Sequence, residues 1–169
     1  MAKQKQSFDG LKTYIPEGSF EALMDPITQF KVQLTVTRKR QSILGDYRHA
    51  HGHLGHRISV NGSLNKYSFL VTLLHELAHL FTFEKYKGVV KSHGPEWKTE
   101  FSAILKDFIQ LNIFPPDINQ ALVKSLKNPA ASSCSDVYLL RVLRNYDTNP
   151  QQLVLVEEIE RGHLFMAHK

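Results

Sequence analysis

An α+β domain is what this sequence predicts: a small antiparallel sheet packed on a buried helix, with two or three further helices around it. Three observations point there. Residues 31–37 and 57–61 alternate apolar and polar side chains with the two-residue period of half-buried strands. Residues 64–87 are apolar nearly all the way round, the pattern of a helix enclosed by its own domain. The 169 residues, 42% hydrophobic and 22% charged, suit one core better than two and exclude a disordered, collagenous or fibrous chain.

The elements follow in order. Residues 1–17 form an N-terminal extension whose opening Met1-Ala2-Lys3-Gln4-Lys5-Gln6 has no apolar stretch long enough for a signal-peptide core. Residues 18–30 read as a helix that Ser19 can cap, with Phe20, Leu23, Met24 and Ile27 on its apolar face and Pro26 ending or kinking it. Val32, Leu34 and Val36 mark the first strand. A connection rich in glycine and histidine leads to Ile58 and Val60 of the second, which stops at the turn signal Asn61-Gly62. The enclosed helix over 64–87 is expected to close at Gly88, which takes the left-handed conformation easily. Pro95 suits the first turn of a helix over 95–110, in which Trp97, Phe101, Ile104, Leu105 and Phe108 recur at helical spacing and read as core. Pro115-Pro116-Asp117 opens a short helix carrying Ile118, Leu122 and Leu126, closed by Asn128-Pro129. Residues 18–128 are thus the folded unit. After a linker over 130–135, residues 137–143 and 153–156 read as strands, making 129–169 a β-rich segment. Its last run, Gly162-His163-Leu164-Phe165-Met166, looks like the start of a further strand, so a shortened C-terminal piece is expected.

Charge is concentrated. Residues 31–57 carry Lys31, Arg38, Lys39, Arg40, Arg48 and Arg57 against the single acid Asp46, so the whole formal excess of +5 lies there and the rest of the chain is neutral. Tyr47 and His49, His51, His53 and His56 are interleaved with these residues. Such a segment suits a polyanion, and it equally suits a solvated strand edge kept from pairing by its charges. If nucleic acid is the partner, Arg38, Lys39, Arg40, Arg48 and Arg57 are the expected contacts, with single-stranded DNA favoured. The lone Cys134 excludes an internal disulfide and a cysteine-pair zinc site, and points to a reducing cytoplasm. No stretch approaches the roughly 18 apolar residues of a membrane span, because His75, Glu76 and His79 interrupt the most apolar one.

Those three residues carry the chemistry. In His75-Glu76-Leu77-Ala78-His79 the i, i+4 spacing brings two imidazoles to one helix face, where they can share a metal ion, with Glu76 beside them. Two histidines and a glutamate inside an apolar helix are costly to bury without such a partner. Catalytic zinc takes three protein ligands. His93, just ahead of a helix start and next to Gly94, is the expected third; His163 and the cluster His49, His51, His53 and His56 are rivals. Histidine donors favour one Zn²⁺ ion without excluding manganese, nickel or cobalt. Glu76 is then the general base for hydrolysis of a peptide bond, and Tyr47, Arg48 and His53 are candidate donors to the oxyanion. Cys134, with no histidine partner in sequence, reads as inert.

With His93-Gly94-Pro95-Glu96-Trp97 following the His75–His79 motif, and Leu44-Gly45-Asp46-Tyr47 and Arg57-Ile58-Ser59-Val60-Asn61 preceding it, the chain resembles the SprT-like zinc metallopeptidase domain of the Spartan-related proteases over residues 18–127. The resemblance implies a minimal zincin-like fold, zinc ligands His75, His79 and His93, catalytic Glu76, and proteolysis of DNA-associated proteins. His93 follows His79 by fourteen residues, unlike the six of metzincins. Many members continue into a cysteine-rich zinc ribbon, which this chain cannot build with one cysteine, so residues 129–169 are expected to be a diverged or truncated remnant. The function expected is a zinc-dependent metalloendopeptidase. The alternative is a zinc-stabilised nucleic-acid-binding or stress-response module without significant turnover.

Overall fold

The computed structural model describes residues 8–38, 43–130 and 136–148. A 3-10 turn at Asp9–Thr13 leads into helix α1 (Phe20–Gln29), then strands β1 (Gln33–Thr37), β2 (Gly45–Arg48) and β3 (Arg57–Asn61). Four helices follow: α2 (Lys66–Tyr86), α3 (Pro95–Gln110), α4 (Pro116–Ser125) and α5 (Val137–Arg144). The class is α+β, with α2 at the centre.

Strand order is β1-β3-β2, and the sheet is mixed rather than antiparallel. β2 pairs antiparallel with β3, whereas β1 pairs parallel with it, Leu34 opposite Ile58 and Val36 opposite Val60. Alternation marks β1 and β3 as strands but says nothing of their relative direction, and Gly-Asp-Tyr-Arg of β2 has no alternation to read. The chain leaves β1, runs back along the far edge as β2, and returns as β3 between the two. Ile58 and Val60 point to α2 and are buried, while Arg57 and Ser59 take the opposite face.

Helix α2 buries Phe69, Leu70, Leu73, Leu74, Leu77, Ala78 and Leu80 completely. Asn65 caps its start, its side-chain oxygen accepting from the amides of Tyr67 and Ser68 at 3.1 and 3.0 Å. Its end comes one residue before the expected glycine, with Lys87 itself left-handed at φ 51°. Pro26 is carried inside α1, which ends a turn later. Ser19 does not cap α1: its hydroxyl donates to the carbonyl of Pro16 at 2.6 Å.

One prediction is reversed. Residues 137–143 form the helix α5, not a strand. Asp136 caps it through an acceptor bond from the Leu139 amide at 3.0 Å, Leu139 and Leu143 bury one turn apart, and Arg141 and Arg144 sit in the last turn, where the helix dipole favours cations. The predicted strand over 153–156 lies outside the described residues, as do Lys39, Arg40, Cys134 and His163. Among the described residues no helix is long and apolar enough to cross a membrane.

Candidate metal centre

His75 and His79 leave the same face of α2. The loop after that helix brings a third imidazole back to them, with His93 in the left-handed region at φ 57°, a strained setting for a residue with a Cβ. Gly94 makes this possible. A Cβ there would lie 3.1 Å from the carbonyl oxygen of Lys91. Pro95 then opens α3 and carries the chain away from the site.

The three Nε2 atoms converge: 3.2 Å between His75 and His79, 2.9 Å between His79 and His93, and 3.1 Å between His75 and His93. Bonds of 2.0–2.1 Å to a tetrahedral zinc would hold such nitrogens about 3.3 Å apart, so the donor set fits that ion with small adjustment. Burial, then the neighbouring imidazoles, pulls the His75 pKa down to about 3; burial, then His93, pulls His79 to about 4; burial also lowers His93. All three rings are therefore neutral at physiological pH, as ligation requires. Among the described residues this is the only group of three or more side chains that can hold a metal ion.

Trp97 is the floor. Its ring lies 4.7, 5.4 and 4.7 Å from those of His75, His79 and His93, stacks on Phe101 at 5.0 Å, and is wholly buried. Helical spacing marks Trp97 and Phe101 as core, and they are; it could not show that the three imidazoles rest on that core.

Glu76, 6% exposed, faces the same cleft. Burial, then the charge of Asp46, pushes its pKa up to about 8. β2 passes so close that a Cβ at Gly45 would stand 2.7 Å from Glu76 Oε1 and 2.8 Å from Thr72 Cγ2. Of the three candidate oxyanion donors only Tyr47 lines the cleft. Its ring is parallel to that of His79 at 6.4 Å, and its hydroxyl lies 2.9 Å from His56 Nδ1, while His56 Nε2 reaches Glu84 at 3.2 Å. A neutral His56 that directs Nε2–H at the Glu84 carboxylate leaves Nδ1 to accept from the Tyr47 hydroxyl. Burial, then Glu84, holds the Tyr47 hydroxyl well above the usual phenol range. Arg48 is instead exposed and paired with Asp46 at 2.9 Å, and His53 is exposed.

Among the described residues, His49, His51, His53 and His56 do not assemble into a metal site. His49 stacks on Phe83 at 4.5 Å, His51 is 6.4 Å from His49, and His56 is buried between Tyr47 and Glu84. Of the basic residues, Arg48 and Arg57 stand directly opposite one another on β2 and β3, with Arg57 Nε buried and unpartnered. Arg38 is exposed beyond the far end of β1, about 16 Å away along the strands.

An α+β domain whose central helix presents two histidines four residues apart to a third from the next loop is a metal-binding domain of the metallopeptidase type. Residues 8–116 match the family model described as SprT-like, and the chain belongs to the SprT-like family. No curated protein and no solved structure matched it.

Proposed function

We propose that the protein is a zinc-dependent metalloendopeptidase acting on DNA-associated proteins. The observation that carries this is the open face of the centre: a structural zinc site is closed by its fourth ligand, whereas these imidazoles and Glu76 line a cleft of about 560 Å³. His75, His79 and His93 are the residues that would hold the ion, which when bound supplies a Lewis acid for the scissile carbonyl and lowers the pKa of water to about 7. Glu76 takes the proton of the attacking water and delivers it to the amine nitrogen as the peptide bond breaks. Burial and the charge of Asp46 raise its pKa, and a dication nearby would lower it. The β2 backbone at Gly45 confines that carboxylate. Tyr47 is the donor for the carbonyl oxygen as it gathers charge; its hydroxyl, held in reserve on His56, must turn from Nδ1 to serve.

The DNA-associated substrate rests on the basic segment, with Arg48 and Arg57 side by side on the sheet face away from α2. One experiment tests both parts: cleavage of an unfolded protein by zinc-loaded enzyme, with and without single-stranded DNA. Glu76→Gln should abolish cleavage with zinc retained, and Arg48→Gln with Arg57→Gln should reduce the salt dependence of DNA affinity while sparing cleavage without DNA. Activity surviving in Glu76→Gln overturns the mechanism. A wild type that unfolds on chelation but cuts nothing establishes the zinc-stabilised binding module instead.

A further inference from the structure

The cleft does not stop at the metal centre. Val71, Thr72, His75, Glu76 and His79 line it from one stripe of α2, so it follows that helix for about 12 Å toward its N-terminus. Besides Val71 and Phe101, the cleft is lined by Ser125, Ala130, Asp136 and Leu139, which come from the end of α4, the segment after it, and the start of α5. These last four lie beyond the 8–116 span of the family match. The hollow is apolar in substance. Val71, Phe101 and Leu139 show 2%, 5% and 3% of their surfaces, Asp136 is engaged in capping α5, and no lysine or arginine lines the cleft among the described residues.

Side-chain hydrogen bonds tie α5 to α2 and α4. Asn65, which caps α2, also donates to the Leu143 carbonyl at 3.0 Å and to Asp147 at 2.6 Å, and the Tyr146 hydroxyl donates to Asp117 at 2.7 Å. Phe101 touches the metal centre directly, its ring 5.7 Å from that of His75. Phe101 thus belongs both to the lining of the hollow and to the surroundings of the centre. Val71 is one helical turn, roughly 6 Å, from His75, and an extended peptide advances about 3.3 Å per residue.

Resting on the metallopeptidase reading, we propose that this hollow is a substrate subsite that seats an aliphatic side chain within two residues of the scissile bond. The α4–α5 wall, Ala130 and Leu139 above all, sets its size. An acidic side chain would lose its hydration there and meet the Asp136 carboxylate rather than an opposite charge, so it is disfavoured.

The test uses the zinc-loaded full chain and fluorogenic peptides of one Gly/Ser/Ala frame carrying a single Leu, Ala, Phe or Glu, with the cuts located by mass spectrometry. Leu peptides should be cut within two residues of Leu at about tenfold higher kcat/KM than Ala peptides. Ala130→Leu, at a half-buried position, should erase most of that preference, bringing the ratio of kcat/KM on Leu to that on Ala peptides close to one. Leu139→Ala should move the preference the other way, toward Phe. Equal rates on Leu, Ala and Glu, or an Ala130→Leu variant that retains zinc and slows every peptide alike, overturn the subsite and leave the peptidase reading standing. No cleavage of any peptide by the wild type overturns both.

Discussion

Gly45 is the residue on which the geometry of Glu76 turns. A methyl group at that position would stand 2.7 Å from Glu76 Oε1, 3.0 Å from its Cγ and 2.8 Å from Thr72 Cγ2, and Glu76 is too buried to step aside freely. Gly45→Ala should therefore displace the carboxylate by a fraction of an ångström to an ångström. Such a displacement costs kcat on the order of 100-fold. Zinc content should stay at the wild-type value, because the methyl touches none of the three histidines. A kcat within threefold of wild type, measured with zinc bound, would show that the carboxylate is not confined from this side. The sequence made the ligand set legible because His75, His79 and His93 are each marked locally, by helical spacing or by a loop ahead of a proline-led helix. Gly45 and the Trp97 floor were not legible as site residues. What makes them so is the approach of β2 to α2 and of α3 to the loop, which no local pattern encodes. The chain of contacts from Tyr47 through His56 to Glu84 joins residues far apart in sequence for the same reason.

Among the elements, α5 shows where local reading fails. An eight-residue run of Val, Tyr and Leu with two arginines satisfies both a strand and a helix, and the deciding signals are Asp136 at the cap and the burial of Leu139 and Leu143 one turn apart. The mixed sheet was hidden in the same way, since alternation reports that a strand is half buried and not what it pairs with. The helices α1, α3 and α4 were legible because each carries an apolar stripe and a proline or glycine punctuation. Asn65 ties two elements together, capping α2 with its oxygen and holding α5 with its amide nitrogen. Asn65→Ala should lose the cap and both tethers, about 2 kcal/mol in all and a fall in Tm of about 4–8 °C. Asn65→Asp keeps the acceptor for the Tyr67 and Ser68 amides but loses both donors and faces Asp147 with a second carboxylate. Hydrogen exchange should then quicken over residues 137–147 in both variants, with the first turn of α2 loosened in Asn65→Ala alone. Equal protection of α5 in wild type and Asn65→Asp would mean that its hold on α4, not Asn65, positions it.

Across the whole molecule, the burial of the centre sets how stability depends on pH before any metal arrives. His75 and His79 titrate near 3 and 4 in the folded protein against 6.5 in an unfolded chain. Below pH 6.5 the unfolded chain takes up protons that the folded one refuses, so these two residues lower stability progressively as pH falls toward 3. Glu76 works in the opposite sense. Its pKa near 8 against an ordinary 4.5 means that between those values the folded protein keeps a proton the unfolded chain has lost, and stability declines as pH rises. From pH 4.5 to 6.5 two histidines outweigh one glutamate; from 6.5 to 8 the glutamate acts alone. The three groups together place the maximum stability of the metal-free protein near pH 6.5. Calorimetry of chelator-treated protein should show a Tm that climbs to about that pH and then falls. In Glu76→Gln the decline above pH 6.5 should vanish while the loss toward acid remains. A decline that persists in this variant would assign it to other groups and remove Glu76 as a buried, proton-holding residue. Zinc should raise Tm across the range and most strongly above pH 6.5, where a dication at the three imidazoles favours the ionised carboxylate that the metal-free fold penalises.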